Sequence, residues 1–354
     1  MTQKNLVILF GGRSPEYPVS LESAGSVLEY IDRSRYQVLP IGITREGDWF
    51  YYAGDLSRIK DDTWLEDSTN CHAIAFSQSR SRRGFYACIE KQLQFFAVDL
   101  ALPVLHGENG EDGTVQGLFA LVGIPVVGCG VLASALCMDK HRAHQLVAAS
   151  GIAVPRGVVV SSADAILPDN LHYPLFVKPV HAGSSFGISK VTAPEVLSEA
   201  IALALTYDTT AIVEEAIDGF EVGCAVLGTG TLKVGRVDEI SLATGFFDYK
   251  EKYTLETAKI HMPARIDALT EKRVQETART IYRVLGCSGF ARVDLFLQPN
   301  GRLVFNEVNT IPGMTAHSRY PNMMKGAGLS FSAMLAELLA LYEEKADDVN
   351  TLLC

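Results

Sequence analysis

The sequence predicts an α/β protein with more than one domain, and three observations lead to this prediction. In the first third of the chain, short apolar runs alternate with segments of helical spacing, which is typical of strands joined by helices. From Glu221 onward the pattern changes to mixed strands. The chain has 354 residues, 48% of them apolar and 20% charged. This length suits two or three domains of about 150 residues, and the composition excludes a disordered or fibrous protein.

The first domain is predicted to be a sheet with helices on both faces. Its segments are, in chain order, strand Leu6–Phe10, helix Val19–Ile31, strand Val38–Ile43, strand Val98–Leu105 and helix Val115–Val122. Alternation of this kind predicts parallel strands that are covered on both sides. The intervening segment Arg45–Arg83 is polar and aromatic, which favours hairpins or loops at an edge of the sheet.

Two further domains are predicted beyond a helix that runs from Asp139 to Pro155. The second domain is predicted to contain strands Leu175–Lys178, Ile188–Val191 and Ala211–Glu215 and helix Pro194–Thr206. The third is predicted to contain strands Glu221–Leu227, Leu232–Ile240, Ala258–Met262, Gly289–Phe296 and Leu303–Glu307 and helices Asp267–Leu285 and Phe331–Leu341. We therefore expect domains over residues 1–130, 131–213 and 214–354.

Charge, cysteine content and hydropathy exclude several classes of protein. There are 31 Lys and Arg against 41 Asp and Glu, a formal charge of −10, which argues against nucleic acid or an anionic membrane as a partner. The seven cysteines are scattered without a CxxC pair, so they indicate neither a disulfide scaffold nor a zinc site. The stretch Gly117–Met138 has no charge, but its glycines and proline predict a helix end, a turn and a new helix rather than a membrane span. We expect a cytoplasmic protein.

A glycine- and serine-rich loop follows one predicted strand, from Lys178 to Gly187. Small residues let backbone N–H groups approach phosphate oxygens, the hydroxyls of Ser184 and Ser185 add donors, and Lys178 adds a positive charge. The loop is not a Walker A motif, because a strand rather than a helix follows it. An ordinary hairpin with a flexible tip remains the alternative.

Acidic and amide side chains lie on the last two predicted strands. Arg292 and Asp294 are two residues apart on one strand, and Glu307 and Asn309 are two apart on the next, so each pair shares one face. If the strands pair, the three oxygen-bearing groups form a cluster that suits Mg²⁺. A solvated surface is the alternative, but the strands are otherwise apolar, and buried charge is costly without a metal or partner.

A third pattern, Gly11–Glu16, joins a strand to a helix. The N-terminus of a helix can bind a carboxylate, although a plain strand-to-helix turn explains the segment equally well. The motif GxGxxG of dinucleotide-binding folds is absent.

Over nearly the whole chain, the ordered motifs resemble the D-alanine–D-alanine ligases of the ATP-grasp superfamily. The matching motifs are Phe10–Glu16 with Val19 and Ser20, Leu105–Thr114, Ala135–Lys140, Lys178–Gly187, Phe247–Tyr253, Arg292–Asp294, and Asn306–Gly313 with His317 and Ser318. The resemblance implies an ATP-grasp fold behind an N-terminal Rossmann-like domain, three domains around one cleft and, by analogy, a homodimer.

The resemblance also implies a nucleotide site and a metal site. The residues that match ATP-binding positions are Lys140, Lys178, Ser184, Ser185, Glu214, Ile217, Glu221 and Lys252, of which Glu214, Ile217 and Glu221 line the adenine and ribose pocket. The metal ligands are matched by Asp294, Glu307 and Asn309, for two Mg²⁺ ions or for Mn²⁺ in their place.

The first substrate, D-Ala, is assigned to residues near the N-terminus. Glu16 matches the carboxylate that holds its ammonium group, and His106 matches another residue of that subsite. Ser184 and Tyr253 match residues that are hydrogen-bonded to Glu16, and Phe247–Tyr253 matches a mobile lid over the active site.

The second substrate is expected to be D-Ser, with D-Ala as the alternative. Ser318 matches a contact to its carboxylate. Arg319 and Phe247 stand where most of the family has other residues, and together with Asp238 they resemble the D-alanine–D-serine ligases of vancomycin-resistant bacteria. Arg319 offers a charged donor fork for the serine hydroxyl. The Tyr kept at position 253 argues against D-lactate.

We therefore expect ATP to phosphorylate D-Ala, and a second amine to attack the resulting acyl phosphate. Arg292 and the N–H of Gly313 would stabilise the oxyanion, as the resemblance implies. A non-catalytic nucleotide sensor and a nicotinamide dehydrogenase are the competing classes. The complete acidic set argues against the sensor, and the missing GxGxxG argues against the dehydrogenase. A housekeeping D-Ala–D-Ala ligase remains the alternative within the family.

Overall fold

The computed structural model describes residues 3–242 and 258–351, with side chains as far as Glu343 in the last helix. Within these ranges the strands form three sheets, one for each third of the chain. The predicted lid, Phe247–Tyr253, lies outside the described residues.

The N-terminal sheet has the strand order β6-β5-β4-β3-β2-β1-β7. The strands are β1 (Lys4–Gly11), β2 (Tyr36–Ile43), β3 (Trp49–Tyr52), β4 (Cys71–Phe76), β5 (Gly84–Ile89), β6 (Gln92–Ala97) and β7 (Leu100–Pro103). β1 pairs in parallel with β2 and β7, which confirms the predicted parallel strands. β3 and β4 lie within Arg45–Arg83, the segment that favours hairpins or loops at an edge, and β3 to β6 form antiparallel pairs that lead to one edge of the sheet. Strands β5 and β6 were not predicted. Between β5 and β6, Glu90 and Lys91 both adopt positive φ, as a two-residue hairpin turn requires.

Helices flank this sheet and lead to the second one. They are α1 (Tyr17–Tyr30), α2 (Ser57–Lys60), α3 (Thr114–Val122), α4 (Val131–Met138) and α5 (Lys140–Ala149), with short 3₁₀ turns at Trp64–Glu66 and Ser68–Asn70. α5 begins at Lys140 because the Asp139 side chain accepts a hydrogen bond from the Arg142 N–H at 2.9 Å, which caps the helix.

The central sheet is small and antiparallel, with the order β10-β9-β11-β8. Its strands are β8 (Gly157–Val160), β9 (Leu175–Pro179), β10 (Ser189–Val191) and β11 (Ala211–Glu215), and helix α6 (Leu197–Ala204) follows a 3₁₀ turn at Pro194–Val196. Strand β8 was not predicted, because four residues are too short to show a period.

The C-terminal sheet is also antiparallel, with the order β14-β13-β12-β15-β16. Its strands are β12 (Phe220–Gly228), β13 (Lys233–Leu242), β14 (Ala258–His261), β15 (Gly289–Leu297) and β16 (Leu303–Asn309). The helices are α7 (Ala268–Val284), α8 (Arg319–Gly326) and α9 (Phe331–Thr351). Asp267 caps α7 by accepting from the Thr270 N–H at 2.9 Å.

The hydrophobic cores do not follow the three sheets one to one. One core joins the N-terminal unit to the C-terminal helices, through buried residues such as Phe10, Trp64, Tyr320 and Leu338. A second core packs α4 and α5 against the C-terminal sheet. The central sheet and α6 have a core of their own. The domain ranges 1–130, 131–213 and 214–354 stay a proposal, and this packing favours a central unit that begins after α5.

Among the described helices, no single one is long and apolar enough to cross a membrane. Within the same described residues, α8 and the first part of α9 together have the required length and hydropathy, but the two helices are bent by 99° relative to one another. The uncharged stretch Gly117–Met138 is divided between α3 and α4, as its glycines predicted.

Candidate active site

The predicted pairing of the two acidic strands is present. On β15 and β16, Asp294 lies opposite Glu307 and Arg292 lies opposite Asn309. Asp294 is 1% exposed. It accepts hydrogen bonds from Arg292 Nε at 2.9 Å and from Asn309 Nδ2 at 3.0 Å. The antiparallel register thus gathers two carboxylates and an amide on one face of the sheet, as the i, i+2 spacing indicated.

Arg319 completes this cluster from the first turn of α8. Its Nε and Nη2 bind the two oxygens of Asp238 at 2.7 and 2.8 Å, and its Nη1 binds Glu221 at 2.8 Å. Nη2 is also 3.3 Å from Asp294. Asp238 is fully buried. The guanidinium therefore joins three strands, and the planar fork fits Asp238 in a bidentate manner.

Gly223 makes room for this arginine. It lies on β12 between Asp238 on β13 and Asp294 on β15. A Cβ at this position would be 2.6 Å from Oδ1 of Asp238 and closer still to Arg319. Any side chain here would displace the ion pair.

The residues fit a divalent cation by their charge and donor type. Four carboxylates, those of Glu221, Asp238, Asp294 and Glu307, surround the two guanidinium groups of Arg292 and Arg319, so the cluster has a formal charge of −2. Carboxylate and amide oxygens are the donors that Mg²⁺ prefers. Asp294, Glu307 and Asn309 are thus suitable ligands.

A second set of charged groups lies on the central sheet and α5. Lys178 on β9 donates to Oε1 of Glu214 on β11, and both side chains are buried. Lys140, at the start of α5, donates to the carbonyl of Ala182 at 2.6 Å. Two lysines therefore flank the glycine- and serine-rich loop, in which Ser184 and Ser185 adopt positive φ. The predicted nucleotide residue Ile217 lies in the segment between β11 and β12.

The predicted first subsite is also brought together from distant parts of the chain. Glu16, at the N-terminus of α1, accepts a hydrogen bond from the hydroxyl of Ser184. Gly107 closely approaches Glu16, since a Cβ there would lie 2.6 Å from its Oε2. His106 is buried, with Nδ1 2.9 Å from the Ile311 carbonyl and Nε2 3.3 Å from the Ser23 hydroxyl. Burial lowers its pKa, which favours a neutral ring.

Gly313 and Ser318 lie next to each other after β16. A Cβ at Gly313 would be 2.8 Å from the Ser318 hydroxyl, and this hydroxyl also accepts from the Thr315 N–H at 3.1 Å. Arg319 follows directly. The predicted oxyanion residue Gly313 and the second-subsite residues Ser318 and Arg319 thus lie in one short segment of the chain. Phe247, Lys252 and Tyr253 lie outside the described residues.

Cavity size does not identify this site. A groove of about 820 Å³, lined by parts of α5, α7 and the β15–β16 turn, contains none of the predicted site residues. A smaller cavity of about 330 Å³ borders His106.

Glu111 and the buried His144 are polar residues that no sequence pattern had indicated as functional. Glu111 accepts from the Gly107 N–H at 3.0 Å and the Ile311 N–H at 2.8 Å, so it links the loop of His106 to the loop that follows β16. Burial, and then the charge of Glu16, raise the pKa of Glu111 to about 7. Its position inside the motif Leu105–Thr114 was the available signal.

Replacing Glu111 with Gln should flatten the pH dependence of stability. The folded protein holds a proton on Glu111 up to about pH 7, whereas the unfolded chain releases it near the ordinary pKa of 4.5. The stability contributed by this proton is therefore complete below pH 4.5 and is lost as pH rises towards 7. Between pH 5 and 8, the free energy of unfolding of the unchanged protein should fall by roughly 2–3 kcal/mol more than that of the variant. Urea unfolding at a series of pH values, without nucleotide or metal, measures how the free energy of unfolding of each protein depends on pH. The same dependence in both proteins would contradict the prediction.

Two small antiparallel sheets, with Lys178 on the first, Lys140 on the adjoining helix α5 and a carboxylate cluster on the second sheet, define an ATP-grasp enzyme. The chain belongs to the D-Ala–D-Ala ligase family: residues 5–129 match the family described as the D-ala D-ala ligase N-terminus, and residues 146–340 match its C-terminus. The members of this family are ATP-dependent ligases that use Mg²⁺, and the expectation of ATP and Mg²⁺ is confirmed.

Known proteins support the same family. The crystal structure of VanG D-Ala:D-Ser ligase from Enterococcus faecalis has a TM-score of 0.89 and 58% identity, and the match covers 96% of this chain and 100% of that one. Vancomycin C-type resistance protein VanC1 of Enterococcus gallinarum is 45% identical over 96% of this chain and 99% of its own. A D-alanine–D-alanine ligase of Caldicellulosiruptor bescii is 40% identical over 98% of this chain and 96% of its own. Relatives that are named as a D-Ala:D-Ser ligase, a vancomycin resistance protein and a D-alanine–D-alanine ligase are thus all similar in sequence to this chain.

Proposed function

We propose that the chain joins D-Ala to D-Ser, converts ATP to ADP and phosphate, and serves peptidoglycan precursor synthesis in vancomycin resistance. The observation that carries the choice of D-Ser is the buried pair of Arg319 and Asp238 next to Ser318. The 58% identity to a D-Ala:D-Ser ligase supports it. We further propose that the enzyme works in the cytoplasm, where ATP is available, and, by family analogy, as a homodimer.

The first half-reaction activates D-Ala. Glu16, with Ser184, holds its ammonium group, and His106 lines the same subsite. Lys140 and Lys178 bind the phosphates of ATP as point charges. The carboxylate oxygen of D-Ala attacks the γ-phosphorus, the bond to the β-phosphate oxygen breaks, and an acyl phosphate and ADP result. Bound at Asp294, Glu307 and Asn309, Mg²⁺ supplies positive charge for the phosphoryl oxygens.

The second half-reaction forms the peptide bond. The neutral amine of the acceptor attacks the acyl carbon, and the C–O bond to phosphate breaks as the amine loses its proton. Arg292 and the N–H of Gly313 stabilise the oxyanion of the tetrahedral intermediate. Arg292 is held for this task by its two bonds to Asp294.

D-Ser differs from D-Ala by one hydroxyl, so selection of D-Ser requires a polar group that forms a hydrogen bond with this hydroxyl. An apolar pocket separates such similar molecules poorly, whereas a placed hydrogen-bonding group can separate them strongly. Asp238 and Glu221 fix the guanidinium of Arg319 in position, so its remaining donor capacity is preorganised. Ser318 binds the carboxylate of the same substrate. Phe247, outside the described residues, stands where many D-Ala–D-Ala ligases have Tyr, so the chain lacks a phenol oxygen at this position.

A competition assay tests the proposal. With ATP, Mg²⁺, and equal D-Ala and D-Ser near neutral pH, we expect the mixed dipeptide to exceed D-Ala–D-Ala clearly. Excess D-Ala–D-Ala would overturn D-Ser and favour a housekeeping ligase, which the relative from Caldicellulosiruptor bescii represents. Absence of ADP release above a control without D-Ala would instead favour a nucleotide sensor and overturn both assignments.

A further inference from the structure

Ser23 is fully buried in the second turn of α1, and the reaction described above gives it no role. Its hydroxyl oxygen is 3.1 Å from the backbone nitrogen of Met314 and 3.3 Å from Nε2 of His106. Met314 directly follows Gly313 in the loop after β16, and His106 lies after β7. One hydroxyl of α1 therefore connects the N-terminal unit to the loop that carries Gly313.

The direction of each hydrogen bond in this network follows from the groups involved. The carbonyl of Ile311 can only accept, so the proton of the His106 ring is assigned to Nδ1, which donates to it at 2.9 Å. Burial, the largest effect, lowers the pKa of His106, so Nε2 carries a lone pair. The Ser23 hydroxyl donates to this lone pair, and its oxygen accepts from the Met314 N–H. The hydroxyl and both ring nitrogens thus have partners inside the protein.

The loop after β16 is held on both sides of Gly313. The Ile311 N–H donates to Glu111 at 2.8 Å. Further along the loop, the Met314 N–H donates to Ser23, and the proline between them has no N–H. The Gly313 N–H has no hydrogen-bond partner among the residues that the structure describes. Gly313 is half-buried, whereas both of its neighbours are buried. The N-terminal unit thus binds the flanking N–H groups and leaves that of Gly313 available to a ligand.

We propose that Ser23 is a positioning residue that directs the Gly313 N–H at the oxyanion of the tetrahedral intermediate. A donor stabilises an oxyanion only if it is fixed where the negative charge develops. Glycine has no side chain to restrict its φ and ψ, so the direction of its N–H depends on what holds the adjoining peptide groups. Ser23 holds the peptide group that joins Gly313 to Met314. This inference rests on the proposed function, because it assumes the oxyanion role of Gly313.

The first test is the rate of dipeptide formation. Ser23→Ala removes the acceptor of the Met314 N–H and should lower kcat by roughly 10- to 100-fold. KM for ATP should stay within about threefold of its original value. Ser23→Cys fills nearly the same space with a group that hydrogen-bonds weakly, so its loss of kcat should be similar. Ser26→Ala is the matched control, because it removes an exposed hydroxyl of the same helix, which donates to the Glu22 carbonyl at 3.1 Å. This control should behave as the unchanged enzyme.

The second test separates the two half-reactions. ATP is labelled with a heavy oxygen isotope in the bridge between the β- and γ-phosphates. Reversible formation of the acyl phosphate moves this label to a non-bridging β position, because the β-phosphate of bound ADP rotates before the bond forms again. This exchange does not pass through the oxyanion, so Ser23→Ala should exchange at least as fast as the unchanged enzyme. The ratio of exchange to dipeptide should therefore rise by about tenfold or more.

The outcomes distinguish this inference from the proposed function. An unchanged ratio in Ser23→Ala, or full dipeptide formation by Ser23→Ala or Ser23→Cys, would overturn the role of Ser23. Circular dichroism verifies the fold, and Ser23→Cys decides the outcome if Ser23→Ala does not fold. Absence of ADP release that depends on D-Ala in the unchanged enzyme would instead overturn the proposed function, and this inference with it. Both dipeptides count as product in a mixture of D-Ala and D-Ser, so an error in the second substrate leaves the result interpretable.

Discussion

Replacing Asp294 with Asn should lower kcat/KM for ADP release by roughly 10³-fold or more, since several kcal/mol of charge stabilisation is lost. Asp294 is the residue that the other groups of the cluster share. It lies opposite Glu307, accepts from Asn309, and is bound by Arg292 and approached by Arg319. An amide removes a ligand charge and at the same time frees two guanidinium groups from their common partner.

The measurement is steady-state ADP release with ATP, D-Ala and D-Ser over a range of Mg²⁺ concentrations. Added Mg²⁺ should not restore the rate. Glu271→Gln is the matched control, because it also removes a carboxylate that is ion-paired to an arginine of the same sheet, Arg236, and neither residue belongs to the carboxylate cluster. We expect near-normal activity for this control. Full activity of a folded Asp294→Asn would refute the metal assignment.

Replacing Arg319 with Leu should abolish most of the preference for D-Ser and should also destabilise the protein, by about 3–5 kcal/mol. Asp238 has no solvent exposure, and both its oxygens are bound by Arg319. Leu would leave this carboxylate with the hydrogen bond from the Gly223 N–H, at 3.1 Å, and would remove a cation from Asp294. A role confined to the second subsite would leave D-Ala activation unchanged. The contact with Asp294 indicates that activation should also decline.

A second variant separates stability from specificity. Asp238→Asn in the Arg319→Leu background removes the buried charge and keeps an acceptor for Gly223. The double variant should recover most of the free energy of unfolding in urea and should still form little D-Ala–D-Ser in competition with D-Ala–D-Ala. Arg319→Lys keeps the charge without the bidentate fork, and an intermediate preference is expected. Retention of D-Ser preference by the double variant would exclude Arg319 as the selecting residue.

The acidic site was predictable because its residues lie on two strands that are consecutive in the sequence. Asp294 and Glu307 each lie in an apolar strand, and the alternation of side chains in a strand places them on a defined face. The resulting pairing is the one observed. The contact between Glu16 and Ser184 spans 168 residues and could be expected only from the resemblance to a family.

Other parts of the site depend on packing that no local pattern encodes. The ion pair between Arg319 and Glu221 requires the register of β12 and the start of α8, and α8 was not predicted. Glu111 and His144 are held by hydrogen bonds to backbone groups of distant segments, Ile311 and Asn306. In the N-terminal sheet, apolar runs indicated the parallel strands correctly, and the polar and aromatic segment Arg45–Arg83 indicated hairpins at an edge, but its weak alternation did not give the bounds of β3 and β4.

The distribution of the hydrophobic cores has a consequence for how the molecule opens. The N-terminal unit shares one core with the C-terminal helices, and α4 and α5 share another with the C-terminal sheet, whereas the core around Val177 and Val213 contains only residues of the central unit. Cooperative unfolding units follow shared cores. In native-state hydrogen exchange, amides of β9 and β11 should therefore exchange through a partial opening of lower free energy. Amides of β1 and β15 should share the protection of global unfolding, so the molecule would behave as two foldons rather than three.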